Sequence, residues 1–192
     1  MTPMMVIIKS IASMASAIII SMPIIISSVN TTAIIHDLAA IVARTVEIYA
    51  EVAADAGHAL SCATLKPLTI EGDEELLTQL LANLIENAIN HVPAPGRLVV
   101  TLQPAGGFAR LEVSDDGPGV PRNLRETVFK PFYRLDDSRN QDRGGTGLGL
   151  AIARDVVRSH GGEISLSESP SGGLRVTVRL PVSSSGRAKY RP

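Results

Sequence analysis

Residues 73–93 read DEELLTQLLANLIENAINHVP, and most of the architecture follows from how that run is taken. Asp73 is placed to cap a helix, and Glu74 and Glu75 fall in its first turn, where carboxylates suit the positive end of the dipole. Pro93 and Pro95 stop the helix near Val92. At about 100° per residue, Leu76, Leu77, Leu80, Leu81, Leu84, Ile85, Ala88 and Ile89 form one broad apolar arc. Asn83 sits at the edge of that arc, while Asn87 and His91 project from inside it. Two amides and an imidazole in such a place are costly unless something polar meets them. They either cap neighbouring loops or bind a ligand. For Asn87 the ligand reading has a chemical basis, since Mg²⁺ takes few protein oxygens and completes its shell with water and phosphate.

Downstream, 97–103 (RLVVTLQ) and 108–114 (FARLEVS) alternate apolar and polar residues around PAGG, which predicts a hairpin. The second strand runs into DDGPG, residues 115–119. A single Asp-Gly pair is usually an ordinary turn. Here Asp115 stands at a strand end beside two glycine pivots, Gly117 and Gly119. A buried carboxylate there accepts a hydrogen bond from an exocyclic amine such as that of adenine, and repels the carbonyl that guanine carries instead.

Residues 128–150, VFKPFYRLDDSRNQDRGGTGLGL, hold two of the three phenylalanines, Phe129 and Phe132, in an otherwise polar segment. These rings are expected to pin the segment to the core. The charged run from Asp136 to Arg143 has the character of a loop that closes over a ligand. Gly144, Gly145, Gly147 and Gly149 then lead into a helix expected from Gly147 to Ser159, offering backbone N–H groups and a positive dipole end to an anion, best a phosphate. A dinucleotide fingerprint is rejected, because a polar loop rather than a strand precedes and Leu150 occupies the place of the third glycine. A closing hairpin, EISLSES and LRVTVRL, turns on PSGG.

Upstream, Leu38, Ile41, Val42, Thr45, Tyr49, Val52 and Ala56 recur at helical spacing, Gly57 ends that helix, and two short strands follow. Helices intermixed with antiparallel hairpins give an α+β class, a sheet covered by helices on one face. Residues 4–29 carry one charge, Lys9, and are long and apolar enough for a membrane span of about 20 residues. A helix buried against a partner, or a remnant that is not native coding sequence, are the alternatives. The division expected is therefore an apolar segment 1–35, a folded domain 36–182 and a disordered tail 183–192.

Net charge is −1, so no basic field points to nucleic acid, and the one cysteine excludes an internal disulfide or a cysteine-based metal cage. Zincin, hydrolase-elbow and P-loop motifs lack their parts.

With these elements in this order, the chain resembles the catalytic and ATP-binding domain of two-component sensor histidine kinases. These belong to the GHKL (Bergerat-fold) superfamily shared with gyrase, the Hsp90 chaperones and MutL. LLANLIENAINHVP resembles the family's N box, DDGPG its G1 box, VFKPFYR its F box and GGTGLGLAIA its G2 box, over about residues 38–182. The resemblance implies a two-layer α/β sandwich, a mixed, mostly antiparallel sheet with three helices on one face. It implies that Asn87 binds Mg²⁺, that Asn83 and His91 lie near the phosphates, and that Asp115 holds the adenine amine in a pocket shaped by Gly117 and Gly119. Arg134 would reach toward the γ-phosphate. Phe132, Gly145, Thr146, Gly147, Leu148, Gly149 and Leu150 would complete the nucleotide site.

The implied partners are ATP, a histidine-bearing dimerisation hairpin and a response regulator, with the ATP domain on the cytoplasmic side of any membrane anchor. No acceptor histidine is recognisable: His36-Asp37 lacks the proline that follows in the family's motif, and His58, His91 and His160 lie inside the ATP domain. Alternatives of the same fold are a serine kinase or simple ATPase, which would carry a carboxylate at Asn83, and a non-catalytic ATP-binding scaffold. Glu86, one helical face away, is expected to be solvated.

Overall fold

A computed structural model describes residues 34–64, 67–135 and 146–183; the apolar segment 4–29, the loop 136–143, Gly144, Gly145 and the residues after 183 lie outside them. The elements run β1 (Ile35–Asp37), α1 (Leu38–Asp55), β2 (His58–Thr64), β3 (Thr69–Glu71), α2 (Glu74–His91), β4 (Gly96–Ala105), β5 (Phe108–Asp115), α3 (Gly149–Ser159), β6 (Glu163–Glu168) and β7 (Leu174–Pro181). Two short 3-10 turns, Arg122–Leu124 and Thr127–Phe129, precede α3.

Five strands form one sheet in the order β2-β4-β5-β7-β6. The β2–β4 pairing is parallel and the other three are antiparallel, so the expected mixed, mostly antiparallel sheet is present. A parallel neighbour requires a crossover, and α2 lies in that connection. Alternation fixes the register: Leu98, Val100 and Leu102 of β4, Ala109, Leu111 and Val113 of β5, and Leu174, Val176, Val178 and Leu180 of β7 are all buried. They face the helices, whereas Arg110, Glu112, Thr177 and Arg179 stand on the open face. Asp115 takes the next inward position after Val113 and pairs with Leu98. The apolar row of β5 therefore ends in a carboxylate.

Helix α2 is capped as its sequence demands, with Asp73 Oδ1 accepting from the N–H groups of Glu75 at 2.8 Å and Leu76 at 3.1 Å. Leu77, Leu80, Leu81, Leu84, Ile85 and Ala88 are buried, each large one contributing about 1.5–3 kcal/mol. Leu76 is exposed. In α1 the buried face is Leu38, Ile41, Val42, Thr45, Val46 and Ala53, while Val52 and Ala56 of the expected stripe are exposed. The stripe follows the straight helix only to Tyr49, and its last turn is aligned by Ala53 instead.

Two findings were not legible in the chain. β1 pairs antiparallel with β3 as a separate two-stranded piece, and Ser183 is buried there, its N–H donating to Thr69 O at 2.9 Å. Glu86 is half-buried rather than fully solvated: Tyr49 Oη donates to its Oε1 at 2.5 Å and so ties α1 to α2. Burial, and then this hydrogen bond to a carboxylate, push the Tyr49 phenol well above its ordinary range. At the start of α2, Glu74 accepts from Arg44 and pairs with His36 Nδ1 at 3.2 Å. The hydrogen bond from Arg44 is the main reason its carboxyl is held below its ordinary value.

Candidate nucleotide site

The site is built around the C-terminal half of α2. Asn83, Asn87 and His91 recur every four residues on one helical face, and at 1.5 Å rise per residue the row spans about 12 Å. Both asparagines are half-buried and His91 is exposed. Asn83 Nδ2 is fully buried with no hydrogen-bond partner among the described residues. A buried amide in that state costs roughly 1–3 kcal/mol unless a loop or a ligand meets it, the two readings its place in the sequence leaves open.

Asp115 is 7% exposed at the end of β5. Its Oδ1 accepts from Gly117 N at 2.9 Å and from Leu174 N at 3.0 Å. Both bonds fall on one oxygen, which fixes the carboxyl plane and leaves Oδ2 as the acceptor for something else. Asp116 acts differently. It is exposed, and its Oδ1 accepts from Arg97 N at 2.8 Å across the hairpin. The paired aspartates are thus divided into one inward and one structural group.

Close approach explains the glycine at 173, which the sequence did not single out. A Cβ on Gly173 would collide with Asp115 Oδ1, Asp115 O and Gly117 N. The turn of the β6–β7 hairpin therefore lies directly on the carboxylate and delivers the Leu174 N–H to it. The PSGG motif signals a turn, but the contact it makes is tertiary and has no local signature. Gly117 packs against α2, a Cβ there falling 3.0 Å from Val92 Cγ2, and Gly119 turns the chain at φ 70°.

The candidate anion side lies at the start of α3. The helix begins at Gly149, two residues later than expected, because Gly147 adopts φ 69° and bends the chain into it. A Cβ on Gly147 would sit 2.9 Å from Phe132 Cα, and Phe132 N–H donates to Gly147 O at 2.9 Å. Leu148 makes no side-chain cap, as suits a helix start whose first-turn N–H groups would meet an anion. Gly149 packs on α2, its would-be Cβ 3.9 Å from Asn83 O. Leu150 is half-buried on the core and Thr146 is exposed; Gly145 lies outside the described residues.

The phenylalanines divide as well. Phe129 is 2% exposed and does pin its segment to the core. Phe132 does not: it is 72% exposed with φ 63°, because its backbone follows Gly147 rather than the sheet. Arg134, two residues on, is exposed.

A carboxylate aimed from a strand end, a helix carrying two amides and an uncapped helix start, all gathered about α2, define a nucleotide-binding α/β sandwich. The chain belongs to the histidine kinase-, DNA gyrase B- and HSP90-like ATPase family, whose model matches residues 72–184. It is 39% identical over 115 residues to the signal transduction histidine-protein kinase BaeS of Escherichia coli K12, covering 60% of this chain and 25% of that protein. It is 44% identical over 121 residues to the sensor protein kinase CarS of Pseudomonas aeruginosa, covering 63% and 26%. Among solved structures, the mycobacterial sensor histidine kinase MprB superposes with a TM-score of 0.68 at 29% identity, over 79% of this chain and 98% of that one. Full-length ShkA in complex with AMPPNP gives 0.70 at 26%, over 82% and 32%. The domain is an ATP-binding catalytic domain of the sensor histidine kinase type, and the chain spans about a quarter of the length of the curated relatives it matches.

Proposed function

We propose that this chain supplies the Mg-ATP-binding domain of a sensor histidine kinase, and that the γ-phosphoryl group goes to a histidine on a dimerising helical hairpin for relay to a response regulator. The observation that carries the reading is the Asp115 carboxylate, buried and fixed through Oδ1 so that Oδ2 is left for a ligand; the unmet buried amide of Asn83 on α2 supports it. Oδ2 takes the adenine amine, with Gly117 and Gly119 shaping the turn around the base. Asn83 and His91 lie toward the phosphates. Gly145, Thr146, Gly147, Leu148, Gly149 and Leu150 surround them, with the N–H groups at the start of α3 as donors. Phe132 flanks the site, and Arg134 reaches toward the γ-phosphate.

The donor set fits a magnesium ion brought by the nucleotide. Among the described residues no group of three or more His, Cys, Asp or Glu could cage a metal. Asn87 offers one amide oxygen, and Mg²⁺ takes few protein ligands when phosphates supply the rest. When bound, the ion neutralises phosphate charge. The protein's own work is positioning and charge stabilisation: the backbone N–H groups and Arg134 hold the phosphates while a histidine nitrogen bonds to Pγ, the bond to the bridging oxygen breaks, and ADP leaves. Asn83, an amide rather than a carboxylate, suits transfer to an imidazole, a nucleophile that needs no base, better than activation of water or serine.

Residues 4–29 would anchor this domain to the inner face of the plasma membrane; among the described residues no helix is long and apolar enough to cross one. The test is transfer itself. With γ-labelled ATP and a separately purified acceptor hairpin from a relative, label is expected on the hairpin's histidine as acid-labile phosphate, and Asn83→Ala should abolish it. Free phosphate with an unlabelled hairpin would instead make the domain an ATPase.

A further inference from the structure

Arg154 lies in the second turn of α3 and is not among the residues assigned to the nucleotide. Its Nη2 donates to Phe129 O at 3.0 Å, and its Cζ stands 5.2 Å from the centroid of the Phe129 ring. Nε is buried with no hydrogen-bond partner among the described residues. Glu126 and Glu163 line the same cleft as Arg154 and Phe129, yet the guanidinium bonds to the backbone carbonyl and neither carboxylate pairs with it. A side chain that only neutralised charge would turn to a glutamate. This one is committed, at the expense of an unmet donor, to the face and carbonyl of a single residue, a use for which a planar guanidinium is suited and an ammonium is not.

That residue ends the 3-10 turn Thr127–Phe129, where the segment toward Arg134 begins. Three residues on, the Phe132 N–H is tied to Gly147 O at 2.9 Å. The stretch from Phe129 to Phe132 is thus fastened at both ends to the continuous stretch from Gly147 to Arg154. From this we infer that Arg154 is a positioning residue for phosphate recognition: it fixes the Arg134-bearing segment to the helix whose N-terminus faces the phosphates, so that the two halves of the anion site hold one geometry. The inference rests on the ATP reading of the site and on Arg134 serving the γ-phosphate. It assigns to Arg154 no contact with nucleotide.

The test compares ATP with ADP, because a residue acting through Arg134 affects only the nucleotide with a third phosphate. Calorimetric titrations with Mg²⁺ present would use the full chain, Arg134→Ala, Arg154→Met, Arg154→Lys and the Arg134→Ala/Arg154→Met double variant, each checked for folding by circular dichroism. Arg154→Met is expected to weaken ATP about tenfold, the scale of one charge-assisted hydrogen bond, and to leave ADP within about twofold. Arg154→Lys, which keeps the charge and loses the stacked fork, should show the same bias at several-fold, and it carries the test should the Met variant not fold. In the Arg134→Ala background, Arg154→Met should cost nothing further. Equal losses for ATP and ADP, or a full additional loss in the double variant, would mean that Arg154 is only a packing residue. An effect of Arg134→Ala with none from either Arg154 variant overturns this inference alone, whereas a wild-type chain that binds neither nucleotide overturns the ATP reading and this inference with it.

Discussion

Replacing Asp115 by asparagine changes one atom, and the hydrogen bonds to the side chain decide which of its two oxygens is replaced. Oδ1 is held by Gly117 N at 2.9 Å and Leu174 N at 3.0 Å. The amide oxygen of the substituted side chain must stay there, since placing its NH₂ against two N–H donors would break both bonds. The NH₂ group is thereby forced into the place of Oδ2, where on the proposed reading it meets the adenine amine donor to donor. The loss has two parts: a charge-assisted hydrogen bond worth about 1.5–3 kcal/mol, and a share of the roughly 1–3 kcal/mol for leaving donors unmet in a buried site. A net loss of about 2–4 kcal/mol corresponds to roughly a thirty-fold to thousand-fold rise in Kd for ATP. GTP should move the other way, because the new NH₂ can donate to the guanine carbonyl. Calorimetric titration of the wild-type and Asp115→Asn chains with ATP and GTP measures both. An Asp115→Asn chain that melts cooperatively and binds ATP as the wild type does would refute the assignment of the adenine contact.

Three further expectations follow from particular contacts. Gly173→Ala places a methyl against Asp115 Oδ1 and O, so ATP affinity should fall at least tenfold, with about 1–3 kcal/mol of stability lost to overpacking; titration and a thermal melt check the two separately, and affinity unchanged within twofold would contradict the geometry. Tyr49→Phe removes the bond to Glu86 and should cost about 1 kcal/mol in a urea melt. Because the Tyr49 pKa is raised in the fold, its contribution is complete below about pH 10 and is lost as pH climbs toward the folded value; the alkaline fall in stability should therefore be shallower in Tyr49→Phe, and identical profiles would count against it. Asn87→Ala should bind ATP with little change when magnesium is omitted and lose the gain that added magnesium gives the wild type, a difference read by titration with and without EDTA; a gain equal to the wild type's would remove Asn87 from the metal.

Much of this site could be read from the chain because its parts are local. The cap of α2, the spacing of Asn83, Asn87 and His91, and the inward alternation that ends at Asp115 are all set by helix or strand periods. The turn at Gly147 and the uncapped start of α3 are set by glycine. What the chain concealed is tertiary. The meeting of Gly173 with Asp115 joins residues far apart in sequence through the β5–β7 pairing. Tyr49 finds Glu86 across two helices, and Phe132 turns outward because it hydrogen-bonds to Gly147. No pattern within either partner announces such contacts. The same holds for Arg154, which looks in sequence like any cation on an amphipathic helix.

The central claim is that the domain holds ATP with its base on Asp115, and a crystal structure of the chain with Mg²⁺ and a non-hydrolysable ATP analogue tests it most directly. The account predicts the adenine exocyclic nitrogen within about 3.2 Å of Asp115 Oδ2, with the phosphates between α2 and the start of α3. An analogue bound with its base elsewhere, or with Asp115 Oδ2 left facing solvent, would contradict it.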